Sequence, residues 1–223
     1  MMFSMLVMAG CALASYLLGA IPFGYVIARA RGIDIRRVGS GNIGATNVFR
    51  CVGKPWGLLT LACDFLKGFA PAFFLPLAAH RLGSTADPGM LGVACAFSAV
   101  AGHNWPVYLG FKGGKGVATS AGAVLGIAWQ AVLIGLGAWI VIFLLTRYVS
   151  VASILTALVI AGASWPLYRE AGLLVPLALT VLGIVIAWRH KGNVRRLLNG
   201  TEHRFDFRRK SPPSPAAENE TPT

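Results

Sequence analysis

Residues Val117–Thr146 read VATSAGAVLGIAWQAVLIGLGAWIVIFLLT, 30 positions with no charged side chain and Gln130 as the only amide. Such a run needs a solvent other than water, and a helix that crosses a bilayer needs about 20 apolar residues. The run is too long for one untilted crossing and short for two. Outward from it the same character continues, in Phe3–Ala28, Trp56–His80, Met90–Leu109, Val149–Leu167 and Ala171–Trp188. Only 13% of the 223 residues are charged and 56% are hydrophobic, with mean hydropathy +0.65. Soluble domains carry charge on about a quarter of their positions. The expected fold is therefore an all-α polytopic membrane bundle.

Basic residues set the expected orientation and decide the reading of the long run. Arg29, Arg31, Arg36, Arg37, Arg50 and Lys54 place the first loop in the cytoplasm and the N-terminus outside. Two crossings later Lys112 and Lys115 return to the cytoplasm, with Arg81–Gly89 as a short outer loop. If Val117–Thr146 crossed once, the basic block Arg189–Lys210 would lie outside. Folded as two short helices it brings that block inside. The charge rule thus favours seven crossings over six, N-terminus out and C-terminus in. Residues 1–210 are expected to form a single domain. The Pro-, Ser- and Glu-containing tail Ser211–Thr223 is expected to be disordered.

The formal net charge of +12 invites a nucleic-acid reading. Its distribution argues against one, because the cations flank apolar runs, where they meet anionic headgroups, and no aromatic–basic interleaving accompanies them. Cys11, Cys51, Cys63 and Cys95 form no CxxC pair, so neither a structural metal nor a disulfide framework is expected. Met8–Cys11 has a faint look of a lipoprotein cleavage site. A signal peptide begins with a basic region, however, and the first basic residue is Arg29, so the segment reads as a retained first helix.

Three polar blocks interrupt the apolar pattern, and the expected topology turns all three toward the cytoplasm. The first joins Gly39, Ser40, Gly41, Asn42, Gly44, Thr46 and Asn47 to the cations Arg37 and Arg50. Glycines let backbone N–H groups approach an anion closely, and the hydroxyl and amide side chains add neutral donors, a composition suited to phosphate. The bland alternative is a Gly/Asn turn with interfacial arginines. The second block is Gly102-His103, followed by Lys112, Gly113, Gly114, Lys115 and Gly116, again a phosphate cradle but without the GxxxxGK[ST] spacing of an ATP site. The third runs from His190 through Asn193, Arg195, Arg196 and Gly200 to Glu202; a headgroup anchor explains its arginines better than its His190, Asn193 and Glu202. Within the second apolar run, Asp64 and Lys67 share a helix face. Such an intramembrane ionisable pair is either functional or a structural lock between helices. Together the blocks describe a cation-rich pocket at the edge of an apolar bundle, taking a phosphorylated solute from water and an acyl chain from lipid.

The segments GSGNIGATN (Gly39–Asn47), Asp64-x-x-Lys67-Gly68, Gly102-His103 with FKGGKG (Phe111–Gly116), and His190-x-x-Asn193-x-x-Arg196-Leu197-x-x-Gly200-x-Glu202 resemble, in order and across nearly the whole chain, the signatures of the acyl-phosphate-dependent glycerol-3-phosphate acyltransferase (PlsY) family. The resemblance implies acyl transfer from acyl-phosphate to the 1-hydroxyl of glycerol 3-phosphate, giving lysophosphatidic acid and phosphate. It implies that Ser40, Arg50, Lys115 or Lys112, His190 and Asn193 line the reaction centre. It also makes Phe111–Gly116 the glycerol-3-phosphate loop and Ser153 a weaker member of the site. By the same resemblance Gly39, Gly41, Asn42, Gly44, Thr46 and Asn47, then Lys112, Gly113, Gly114 and Gly116, with Asp64, Lys67, His103, Arg196 and Glu202, are substrate-binding. No cofactor is implied. The resemblance further implies a bacterial inner membrane as the setting and a separate acyltransferase at the membrane surface that supplies the acyl-phosphate.

A mixed anhydride already carries a good leaving group, so catalysis needs alignment and charge stabilisation more than a covalent intermediate. The base is left between His190 and a substrate phosphate oxygen. An HxxxxD dyad is absent, since the fifth position after His103 is Tyr108. So is the repeated Asp pattern of metal-dependent CDP-alcohol phosphotransferases. A transporter of phosphorylated anions is the competing class. Transporter sites lie near the bilayer midplane, whereas these polar blocks gather at one edge.

Overall fold

The structure, a computed structural model, describes residues 2–206 and is helical wherever the apolar runs occur. Ten α-helices follow in order among the described residues: α1 (Met2–Ala20), α2 (Phe23–Ala30), α3 (Ala45–Cys51), α4 (Lys54–Arg81), α5 (Pro88–Asn104), α6 (Val117–Ile127), α7 (Trp129–Thr146), α8 (Val149–Tyr168), α9 (Leu174–Arg189) and α10 (Lys191–Leu198). The tail Ser211–Thr223 lies outside the described residues.

Among the described residues four stretches are long and apolar enough to cross a membrane, namely α1 with α2, α4, α7, and α8 with its short 3-10 extension; a fifth appears if α9 and α10, bent by 51°, count as one. The decisive stretch Val117–Thr146 does break into two helices. Ala128, with φ −154° and ψ 65°, ends α6 and starts α7. No proline marks this break. The Ala131 N–H, one of the donors a helix start leaves unpaired, instead reaches the Tyr168 hydroxyl at 3.4 Å. At 11 residues α6 is only about 16 Å long at 1.5 Å per residue, shorter than the ~30 Å hydrocarbon core. The run Phe3–Ala28 is likewise interrupted, here by a proline. Pro22 disfavours a helical Ile21, and the Ile21 carbonyl that this frees accepts a 2.7 Å bond from Lys67 Nζ.

The packing is inside-out relative to a soluble bundle. On α7 only Ala131 and Gly135 are buried, while Leu133, Leu136, Val141, Leu144 and Leu145 point outward. The core is built from small residues, among them Ala72, Ala96, Ala123, Ala131 and Ala157. This is the composition expected where lipid supplies the solvent and helices associate by close backbone approach. The tightest approaches join α4 to α6 and α1 to α5. A Cβ on Gly68 would overlap the Thr119 carbonyl, and one on Gly102 would overlap the Tyr16 carbonyl. These two pairs fix where α5 ends and α6 begins, and so aim the loop between them.

Candidate active site

At one end of the bundle the three polar blocks meet. A cleft of about 470 Å³ is lined by Arg36, Gly41 and Ile43 from the first block, Phe111, Lys112 and Gly113 from the second, and Arg189 at the end of α9. Beside it, Lys115 lies within electrostatic reach of Arg50, Arg189, Arg196 and the carboxylate of Glu202. Three segments distant in sequence thus converge, and the convergence expected from the sequence is present.

The first block is shaped by Asn47. Its side chain is buried on α3; Oδ1 accepts the Ser40 N–H at 3.0 Å, while Nδ2 faces the carbonyls of Ile35, Val38 and Asn42 at 3.2, 3.1 and 2.9 Å. The loop wraps around one amide, with Gly39 and Gly41 at φ 59° and 68° where other residues would be strained. Asn42 in turn accepts the Gly44 N–H at 2.8 Å. Ser40 and Thr46 are exposed, and Arg50 is half-buried with its pKa lowered by burial. Asn47 has no hydrogen-bonding capacity left for a ligand.

The second block is held by a residue that the sequence reading had assigned to the basic headgroup block. Arg189 donates from Nε to the Gly114 carbonyl at 3.1 Å and from Nη2 to the carbonyls of Gly114 and Gly113 at 2.5 and 3.3 Å. Its guanidinium also lies over Trp105, at 5.5 Å from the ring centroid. From below, His103 closes the loop, since a Cβ on Gly114 would run into its Nε2 and its carbonyl accepts the Gly114 N–H at 3.1 Å. Lys115 follows, half-buried, with burial pushing its pKa down to about 8 and Glu202 opposing that fall. Adjacency to His190 was the only sequence signal for Arg189.

In the third block Glu202 is the organiser. Its Oε1 accepts Ser150 Oγ at 2.8 Å and Asn193 Nδ2 at 2.6 Å, and its Oε2 accepts Arg196 Nε at 2.7 Å. These bonds hold its pKa below the ordinary carboxylate range against the effect of burial. Ser150 was not singled out by sequence; Ser153, one turn further on α8, donates to the Val149 carbonyl at 2.8 Å. His190 is buried between α9 and α10, with Nδ1 2.8 Å from the Ile186 carbonyl. A carbonyl only accepts, so Nδ1 carries the proton and Nε2 keeps a lone pair. Burial and the nearby Lys115 push the His190 pKa down to about 4, so the ring is neutral at pH 7. Asn193 leaves Oδ1 buried and without a hydrogen-bond partner among the described residues.

Asp64, Lys67 and His103 sit apart from this cluster. All three are buried, with Asp64 Oδ1 2.8 Å from Lys67 Nζ and 3.6 Å from His103 Nδ1. Through the Ile21 carbonyl and His103 the triad ties α4 to the α1–α2 break and to α5, directly under the Gly113–Gly114 loop. Among the described residues no group of three or more His, Cys, Asp or Glu side chains could hold a metal ion.

The arrangement offers cations for phosphate and two acceptors, His190 Nε2 and Asn193 Oδ1, for a hydroxyl. Against known proteins, residues 9–200 match the family model described as glycerol-3-phosphate acyltransferase. The glycerol-3-phosphate acyltransferase of Geobacter sulfurreducens is 47% identical over 195 residues, covering 86% of this chain and 94% of the relative. That of Aquifex aeolicus is 45% identical over 195 residues, covering 86% and 95%. Among solved structures, PlsY (YgiH), an integral membrane glycerol 3-phosphate acyltransferase in its glycerol 3-phosphate form, superposes with a TM-score of 0.80 at 41% identity, covering 89% of this chain and 96% of that one. Its lysophosphatidic acid form gives 0.78 at 40% identity, covering 89% and 95%.

Proposed function

The chain belongs to the glycerol-3-phosphate acyltransferase family, and from that premise we propose that it transfers an acyl group from acyl-phosphate to the 1-hydroxyl of sn-glycerol 3-phosphate, the first acylation of bacterial phospholipid synthesis. The observation that carries this reading is the pairing of a cation cluster with two unengaged hydroxyl acceptors, set at the end of an apolar bundle. Glycerol 3-phosphate is the solute that uses both features, one phosphate and a free hydroxyl a few ångströms away.

In the proposed reaction the glycerol O1 attacks the acyl carbonyl carbon, the C–O1 bond forms, and the bond from that carbon to the phosphate oxygen breaks. Inorganic phosphate leaves. Lys115, Arg50 and Arg196 stabilise the two phosphates and the oxyanion, and the Ser40 hydroxyl adds a donor. The proton from O1 goes to a substrate phosphate oxygen, whose second pKa is about 6. That is a stronger base than His190 at about 4. His190 Nε2 and Asn193 Oδ1 then orient the hydroxyl rather than deprotonate it. The cleft lined by Arg36, Lys112, Gly113 and Arg189 is the approach for the soluble substrate. Asn47, Asp64, Lys67 and His103 act behind these groups, as the scaffold of the two loops.

The same reading places the site on the cytoplasmic side of the inner membrane, in a seven-crossing chain with its N-terminus outside and with residues 1–210 as one domain. The short α6 is then a crossing only where the bilayer or its neighbours make up for its length. A membrane-surface enzyme that makes acyl-phosphate supplies the donor.

The test uses purified full-length protein in lipid with glycerol 3-phosphate and palmitoyl-phosphate, following phosphate release and lysophosphatidic acid together. Parallel arms offer acyl-CoA or acyl-carrier protein as donor. Matched product from acyl-phosphate alone, slowed by about 10²-fold or more in a folded Lys115→Ala protein, is the expected result. Product from acyl-CoA but not from acyl-phosphate would replace the donor, and no product from any donor would sink the reading.

A further inference from the structure

We propose that the outer face of α10 is a docking surface for anionic phospholipid, and that lipid bound there steadies the inner face that carries Asn193 and Arg196. The eight residues of α10 divide cleanly. At 100° per residue, Lys191, Val194, Arg195 and Leu198 share one side, and all four are exposed, Leu198 at 83%. Asn193, Arg196 and Leu197 share the other; Asn193 is buried and the other two are partly covered. The inner side is accounted for by Glu202, which takes Asn193 Nδ2 and Arg196 Nε. Among the described residues nothing covers the outer side.

Three observations choose the occupant. First, α10 follows α9 after a single residue and bends from it by 51°. It also holds three cations in eight residues, which keeps it out of the hydrocarbon core; it therefore lies along the surface. Second, the depth is marked by Trp188, 51% exposed, with Lys191 Nζ 5.2 Å from its ring centroid. A tryptophan at the end of a span sits at headgroup level. Third, the outer face alternates cation and apolar side chain, so Lys191 and Arg195 can meet headgroup phosphates while Val194 and Leu198 enter the acyl boundary. Two apolar side chains fall far short of the roughly 800 Å² per partner of a stable protein interface. A lipid surface is the partner that this face fits.

The consequence is a coupling. Asn193 and Arg196 can only keep their bonds to Glu202 while α10 stays folded and seated, and an isolated two-turn helix is not stable in water. Anionic lipid on the outer face supplies that stability. The coupling rests on the reading above that the inner face serves the reaction; the docking does not.

The experiment places the full-length protein in nanodiscs of phosphatidylcholine alone or with 30% phosphatidylglycerol. It reads amide hydrogen exchange across residues 191–198 and, separately, turnover. Exchange is expected to slow in the anionic discs. In a Lys191→Gln/Arg195→Gln protein that slowing is expected to shrink by about fivefold per removed cation, with turnover in phosphatidylcholine discs unchanged. Turnover of the parent protein is expected to rise with phosphatidylglycerol and that of the double variant to stay flat. Equal exchange in the two lipids would overturn the docking, as would protection that follows the protein-to-disc ratio instead of lipid charge, the mark of a second copy. Exchange that responds to lipid while turnover does not would refute the coupling. Because exchange needs no donor, a wrong donor assignment leaves the docking result intact.

Discussion

Replacing Glu202 with glutamine tests the organising role of one carboxylate against geometry alone. Its two oxygens accept three donors, Ser150 Oγ and Asn193 Nδ2 on Oε1 and Arg196 Nε on Oε2. Glutamine keeps the shape but only one of the two oxygens. If the amide nitrogen faces Arg196, donor meets donor there; if it faces the other way, it meets the Asn193 amide. At least one charge-assisted hydrogen bond is lost in either orientation, about 1.5–3 kcal/mol, and in the second the Ser150 hydroxyl must also turn from donor to acceptor. Felt wholly in the transition state, that is roughly a ten- to 150-fold loss of rate. A second effect is independent of the bond count. Burial pushes the Lys115 pKa down to about 8, and the Glu202 charge works against that fall. Without the charge the pKa drops further. A cation with a depressed pKa is present below that pKa and lost as pH rises through it. The alkaline limb of the kcat/KM profile, which reports the ligand-free protein and is expected near pH 8 in the parent, should therefore move to lower pH in Glu202→Gln, while an acid limb set by substrate phosphate stays in place. Initial rates of phosphate release at sub-saturating glycerol 3-phosphate between pH 6 and 9.5, from protein that elutes and unfolds like the parent, would read both effects. An alkaline limb that stays put or moves up would refute the electrostatic argument. An unchanged rate would refute the hydrogen-bond argument.

Two further substitutions separate site from scaffold. Asn47 spends its amide on Ser40 N–H and three carbonyls. Asn47→Ala and Ser40→Ala should therefore each slow turnover, and the double variant should be no slower than the worse single, with a coupling of about 0.5–3 kcal/mol in the cycle; independent, additive losses would show that Asn47 does not act through Ser40. Asp64→Asn leaves Lys67 buried without its carboxylate, 2.8 Å away in the parent, and should destabilise the fold by about 3–5 kcal/mol. An unfolding temperature equal to the parent's, measured in the same lipid, would contradict the view that the triad locks α4 against the α1–α2 break.

Much of this was legible in the sequence, because lipid imposes strong composition rules. The uncharged run Val117–Thr146 had to be read as two helices to keep the basic blocks on one side, and the chain does break there, at Ala128. The break itself carries no proline, so its position could not be read. The meeting of the three blocks was legible for a related reason, since polar loops at one membrane face have few other places to go. What the sequence hid was how each polar group spends its hydrogen bonds. Asn47 and Ser40 sit in one block and look alike as donors, yet Asn47 is buried and fully engaged while Ser40 is exposed. Arg189 looked like one more interfacial cation until its bonds to Gly113 and Gly114 appeared. Ser150 had no signal at all, because a serine at the start of a span is ordinary and its partner lies at Glu202, far along the chain.

The electrostatics of the cluster bear on why the chain holds its cations where it does. Lys115, Arg50, Arg189 and Arg196 face one carboxylate, Glu202, and that carboxylate is already engaged by Arg196. Cations gathered at the end of an apolar bundle repel one another more strongly than they would in water. The fold meets that cost with fixed partners, carbonyls of Gly113 and Gly114 for Arg189 and the Glu202 carboxylate for Arg196. Lys115 and Arg50 are left with excess positive potential, which adds to burial, the larger cause, in lowering the Lys115 pKa. Bound phosphate reverses the balance, because an anion beside Lys115 restores its proton and relieves the repulsion. In the proposed reaction two phosphates in the ground state become one free phosphate and one phosphomonoester after acyl transfer, so the charge that the cluster would hold is present throughout. A site of this kind favours binding of anions at both ends of the reaction, and its rate advantage comes from aligning hydroxyl and carbonyl within a field that is already set.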